Sequence, residues 1–169
     1  MTNDEVHSAI VRWIASVANV ETIKDHQGIK RPSAPYIMVN YTGSSEVREH
    51  AQNVEFTDTG LPNSEGKTQI SAAPVIEVEW RFSVHAYGPG PTDRLRPIVS
   101  AVKLSQVIEP LLPALVIHEL SQIRNVPDMI ENAWEPRAQM DIFVRGLTRD
   151  GFVVDTIDVA PFTISKNLP

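Results

Sequence analysis

The sequence has 169 residues, 42% hydrophobic and 21% charged, enough for one domain with a substantial core and unlike a wholly disordered chain. It holds no cysteine, which removes disulfide frameworks and thiolate chemistry. A net charge of −6 and a pI near 5.3 argue against a protein that grips nucleic acid, because such proteins need a basic patch to neutralise phosphates.

The opening Met1-Thr2-Asn3-Asp4-Glu5 is acidic where a secretory signal carries basic residues, and no run reaches the roughly eighteen apolar residues of a membrane span. The sequon Asn40-Tyr41-Thr42 is therefore read as coincidence. A first helix follows. Thr2 or Asn3 caps it, Asp4 and Glu5 suit the positive end of its dipole, and Val6, Ile10, Trp13, Ile14 and Val17 fall on one stripe. Gly28 and Pro32 mark a connection, and 35–41, rich in β-formers (Tyr36, Ile37, Met38, Val39, Tyr41), reads as a strand.

From 42 to 73 the chain turns polar, with Gly43, Gly60, Pro62 and Gly66 and few apolar anchors. Such a long polar excursion is either a loop or a segment that orders against a partner. Then comes the clearest pattern in the sequence. Ile76, Val78, Trp80, Phe82, Val84 and Ala86 alternate with Glu77, Glu79, Arg81, Ser83 and His85, giving a strand with one dry and one wet face. Its length suggests an extended arm or a sheet shared between subunits. Tyr87-Gly88-Pro89-Gly90-Pro91 stops it, with Gly88 and Gly90 free to take positive φ.

Thr92 or Asp93 is expected to cap a second helix with Pro97 near its first turn, and Leu95, Ile98, Val99 and Val102 as its stripe. Pro110 and Pro113 end it. Residues 115–124 suit a strand or a helix, and 127–136 a loop holding Trp134. The last part reads as a hairpin: Ala138, Met140, Ile142 and Val144 alternate with polar residues, 146–151 turns, and 152–159 runs back. The expected fold is α+β: one domain over 1–169, with two main helices packed on one face of a mostly antiparallel β-sheet.

The motifs that would carry chemistry all fall short. Gly66-Lys67-Thr68 resembles the end of a phosphate-binding loop, but Leu61, Pro62, Asn63, Ser64 and Glu65 put one residue too many between the glycines, and a strand follows in place of a helix. His7, His26, His50, His85 and His118 show no ligand spacing; a metal at His85 with Glu77 and Glu79 is outweighed by an ordinary surface histidine. Glu77 with Glu79, about 7 Å apart on one strand face, and Asp155 with Asp158 give no sign of desolvation. No glycine-flanked serine elbow or dinucleotide turn is present. Neither catalytic residue, cofactor nor metal is expected, and the basic pairs Lys30-Arg31 and Arg94 with Arg96 read as solvated surface or as partners of carboxylates.

Val84-His85-Ala86-Tyr87-Gly88-Pro89-Gly90-Pro91-Thr92-Asp93 resembles the strand–turn–helix segment of neck and tail terminator proteins from contractile-tailed phages and prophages. Trp134-Glu135-Pro136-Arg137-Ala138-Gln139-Met140-Asp141 is similar to the Glu-x-Arg-Ala entry of that family's C-terminal hairpin, and Pro35-Tyr36-Ile37 to its first strand. The resemblance implies a virion protein assembled in the host cytoplasm: a ring, a hexamer, that caps the tail tube, stops its polymerisation and joins tail to head. The implied partners are other copies of the chain, tail tube and sheath proteins, and head-completion proteins, with DNA only passing through the lumen. On this reading Glu77, Glu79, Arg81, His85 and Tyr87 form an interface or line the lumen. The alternatives are a head-completion or connector protein and a small metal-dependent hydrolase.

Overall fold

The computed structural model describes residues 1–25, 32–62, 64, 66, 68–130 and 132–154. His26, Gly28, Lys30, Arg31, Asn63, Glu65, Lys67, Asp155 and Asp158, singled out above, and the rest of the expected return strand over 155–159, lie outside these residues. Helix α1 (Asn3–Ala18) starts at a reciprocal cap: Thr2 Oγ1 accepts from the Glu5 amide at 3.3 Å and the Glu5 carboxylate from the Thr2 amide at 2.7 Å. Val6, Ile10, Trp13 and Ile14 of the expected stripe are buried, Val17 is half-buried, and Asn19 closes the helix in the left-handed region at φ 50°.

Four strands follow: β1 (Thr22–Lys24), β2 (Tyr36–Glu46), β3 (Asn53–Pro62) and β4 (Thr68–Tyr87). Gly88 and Gly90 turn the chain at φ 94° and 60°, in the positive region the turn was expected to need. Gly90 then caps α2 (Pro91–Ala101), so the helix begins earlier than expected, no side chain caps it, and Pro97 sits in its interior. A short helix α3 (Ser105–Ile108) and a 3-10 turn (Glu109–Leu111) lead to β5 (Leu115–Leu120), which settles the strand-or-helix alternative, and to β6 (Arg124–Asn125). The expected loop at 127–136 is a miniature hairpin of β7 (Asp128–Ile130) and β8 (Ala133–Glu135). Strands β9 (Arg137–Arg149) and β10 (Phe152–Val154) complete the described chain.

The 20-residue β4 is the spine of the sheet, about 65 Å long if straight. Along one edge, β2 pairs antiparallel with its residues 78–87 and β3 with residues 68–75, so β2 and β3 lie end to end. Along the other edge, β9 pairs with residues 75–87 and β10 with residues 70–72. Residue 152 therefore does not begin a return strand: after Asp150 and Gly151 the chain continues in the same direction and pairs with β4, not with β9. The main path runs β1-β2-β4-β9-β5, antiparallel except for the β1–β2 pair.

Alternation along β4 decides where the core lies. Val78, Trp80, Phe82, Val84 and Ala86 pack under the helices with Ile37 and Val39 of β2 and Ala138, Met140, Ile142 and Val144 of β9. Burying each of the larger aliphatic and aromatic side chains among these contributes about 1.5–3 kcal/mol. Leu95, Ile98 and Ala101 supply the face of α2. Two buried indoles are anchored: Trp80 donates to Asn3 Oδ1 at 2.8 Å, and Trp13 to the Val107 carbonyl at 2.9 Å. This core covers only the half of β4 beyond Val75. The other half, with β3 and β10, projects past the helices as a three-stranded arm.

Candidate assembly surfaces

Two surfaces remain once the core is assigned, the second face of the sheet and the arm. On the second face, strand register places Glu79 opposite Arg145, Arg81 opposite Phe143, Ser83 opposite Asp141, His85 opposite Gln139 and Tyr87 opposite Arg137. Directly opposed residues share a face, so these pairs are neighbours by construction.

Glu79 accepts from Arg145 Nε at 3.0 Å and contacts His118 Nε2 at 2.6 Å. His118 is the extra residue where the β5–β9 register shifts between Ile117 and Glu119, a bulge that lets it reach the wet face. Burial pushes the Glu79 carboxyl upward, but the bonds from Arg145 and His118 outweigh it and hold the group below its ordinary value. One step along, Asp141 meets Arg81 at 3.0 Å and Arg124 at 3.7 Å, and the Arg81 guanidinium lies 5.4 Å from the Phe143 ring centroid. Asp141 is likewise raised by burial and lowered more strongly by hydrogen bonds from Arg81 and Ser83, ending below the ordinary carboxylate range.

The lower end of this face is closed. His85 is 7% exposed and Tyr87 equally so. Tyr87 stacks on Tyr36 at 4.7 Å between centroids, and Arg137 reaches across to His85 Nδ1 at 3.0 Å and to Asp128 at 3.3 Å. Burial, helped by the Arg137 charge, lowers the His85 imidazole to about 4. Of the five residues expected on this face, then, Glu79 and Arg81 meet partners at the accessible centre, Glu77 contacts Gln52 at 3.0 Å near the arm, and His85 and Tyr87 lie inside the chain. The sequence reading missed His118, Arg145 and Asp141, which reach this face only through strand register. His85 does not join Glu77 and Glu79; the histidine that reaches Glu79 is His118, held with an arginine. Among the described residues, no three histidine or carboxylate side chains converge as a metal site.

The arm has a different character. Val54 pairs with Pro74, Phe56 and Phe152 both flank Ala72, and Asp58 and Val154 both flank Ile70. These are even-numbered β4 partners, so the row continues the dry face of the core beyond the helices. Phe56 is 67% and Phe152 63% exposed. Arg149 and Glu55, at 2.9 Å, tie the arm's base together. Near that base, on the β5 side, lies a groove of about 720 Å³ lined by Met1, Pro113, Ala114, Val116, Leu147 and Arg149 among others.

A long central strand, a half-covered sheet and a protruding apolar ribbon characterise this α+β fold. The chain belongs to a family described as phage neck terminator protein, whose model matches residues 4–167. It is thus a structural component of the phage neck. No curated protein matches it. One solved structure aligns over 86% of this chain and 96% of its own, at 14% identity and a TM-score of 0.35. Among the described residues no helix is long and apolar enough to cross a membrane.

Proposed function

We propose that this protein forms a homo-oligomeric ring, a hexamer, at the head-proximal end of the tail, where it caps the tail tube, halts its polymerisation and joins tail to head. Its partners are other copies of itself, tube and sheath proteins on one side and head-completion proteins on the other. DNA only passes through the ring. The face carrying Glu77, Glu79, Arg81, His85 and Tyr87 serves assembly. Direct contact falls to the more accessible Glu77, Glu79 and Arg81, while His85 and Tyr87 hold the lower end of the sheet in shape.

Beyond family membership, one observation carries this reading: the dry face of β4 runs past its own helices into an arm whose Phe56 and Phe152 stay exposed. A monomer rarely leaves such a contiguous apolar row in water, and a second surface is the usual solution. Light scattering behind size exclusion should return a ring mass for the purified protein, and particles assembled without it should carry overlong tails or tails detached from heads. A monomer at every concentration, with normal tails in its absence, overturns the proposal.

A further inference from the structure

We propose that the arm of one copy seats its apolar row in the groove beside β5 of the next copy, and that this head-to-tail contact closes the ring. The inference rests on the ring reading above and names the surfaces that would build it. The arm offers Phe56, Ala72 and Phe152 as one cross-strand row, with Val54 and Pro74 on one side of it and Ile70 and Val154 on the other. At 67% and 63% exposure, the two phenylalanines alone leave on the order of 250 Å² of apolar surface in water, taking about 200 Å² for each side chain. That is roughly a third of what one partner contributes to a standard interface.

The recipient is on the same chain but elsewhere. Val116 is 45% exposed, although its neighbours Leu115 and Ile117 are buried, and it lies with Pro113, Ala114 and Leu147 along a groove of about 720 Å³. Leu112, 44% exposed, immediately precedes Pro113 in that wall. The arm's row stands exposed, whereas the groove is a recess in the surface. A patch matched to a pocket elsewhere on the same molecule makes a heterologous contact, which builds a ring when its rotation closes. Charge does not oppose the fit: Asp58 is the one carboxylate in the arm's row, and the groove's Arg145 and Arg149 are already paired, with Glu79 and Glu55. A second copy is therefore the occupant that the chain itself is equipped to receive.

Three arms of one experiment test this. Phe56→Ser with Phe152→Ser touches only residues exposed in the single chain, so circular dichroism and Tm should stay near wild type while light scattering falls from ring to monomer. Val116→Asp should give the same loss from the recipient side. Because the chain holds no cysteine, Phe152→Cys with Val116→Cys in one chain should give a ladder of crosslinked oligomers with a short bismaleimide, whereas either single variant should stop at dimers. Wild-type rings that persist in both serine and aspartate variants, without a ladder, overturn the arm-in-groove contact and leave the ring reading standing. Serine variants that form rings but no longer bind purified tube protein assign the arm to the tube, and also overturn it. A monomeric wild type instead removes the ring reading itself.

Discussion

His85 can serve as an acceptor only while it is neutral: its Nδ1 takes a hydrogen bond from Arg137 at 3.0 Å, which a protonated nitrogen could not do. Burial first, and the Arg137 charge second, lower its pKa from 6.5 to about 4. Between those values the unfolded chain binds a proton that the folded chain refuses. Stability therefore rises with pH from 4 to 6.5, is flat above that window, and below pH 4 has lost the full amount, about 3 kcal/mol. His7, lowered by burial where Nε2 meets the Val39 carbonyl at 2.9 Å, acts in the same direction. Glu79 and Asp141, both depressed, contribute stability that is present above their ordinary carboxylate range and lost as pH falls through it, a lower window. Urea unfolding at pH 7 and pH 5.5 should show the protein weaker at the lower pH, and His85→Gln should flatten most of that slope. An unchanged slope in the variant would mean that His85 is not the group held neutral. None of this was legible in sequence. Alternation placed His85 on the wet face, but only the later chain, through Arg137 and Asp128, buries it there.

The same contrast holds for whole elements. The dry side of β4 was readable because the helices bury one face, and period two is the imprint of a half-buried strand. Residues 42–73 were unreadable for the complementary reason: nearly all of β3 is exposed within its own chain, and its apolar alternation is limited to Val54 and Phe56 before Asp58 breaks it, so the strand looks like a polar loop. Gly146 misled in another way. It was assigned to a turn, yet it sits inside β9 opposite Val78, where a Cβ would lie 2.7 Å from the Ala114 carbonyl and 3.0 Å from Leu115 Cδ2. The glycine admits the incoming β5 at close range. Gly146→Ala should accordingly destabilise by about 1–3 kcal/mol, with Tm falling about 2–4 °C for each kcal/mol. Gly151→Ala is the useful comparison, because its Cβ would meet only the Ser71 hydroxyl, at 2.8 Å, and a hydroxyl can rotate away. Equal Tm values for Gly146→Ala and wild type in calorimetry would show that the approach of β5 is not tight.

At the scale of the molecule, the proposed ring would have to let DNA pass without holding it. Each chain carries a net charge of −6, so a closed ring multiplies a like-charge field toward the duplex. The arginines on the wet face do not reverse this locally. Arg145 is paired with Glu79, Arg81 and Arg124 with Asp141, and Arg149 with Glu55 at the base of the arm. An arginine committed to a carboxylate must break that pair before it can take a phosphate. The counterion release that drives non-specific DNA binding would then be spent on lost ion pairs. The expected result is no shift of duplex DNA by the assembled protein at about 0.15 M salt, and little at about 0.02 M, where screening is weak and any attraction should be greatest. Glu79→Gln with Asp141→Asn leaves those arginines without their carboxylates and removes two negative charges per chain. It should introduce DNA binding that falls steeply with salt. If the wild type already binds duplex with a steep salt slope, the paired-charge face is not what lets DNA pass; if the double variant stays silent at low salt, those arginines do not face the duplex.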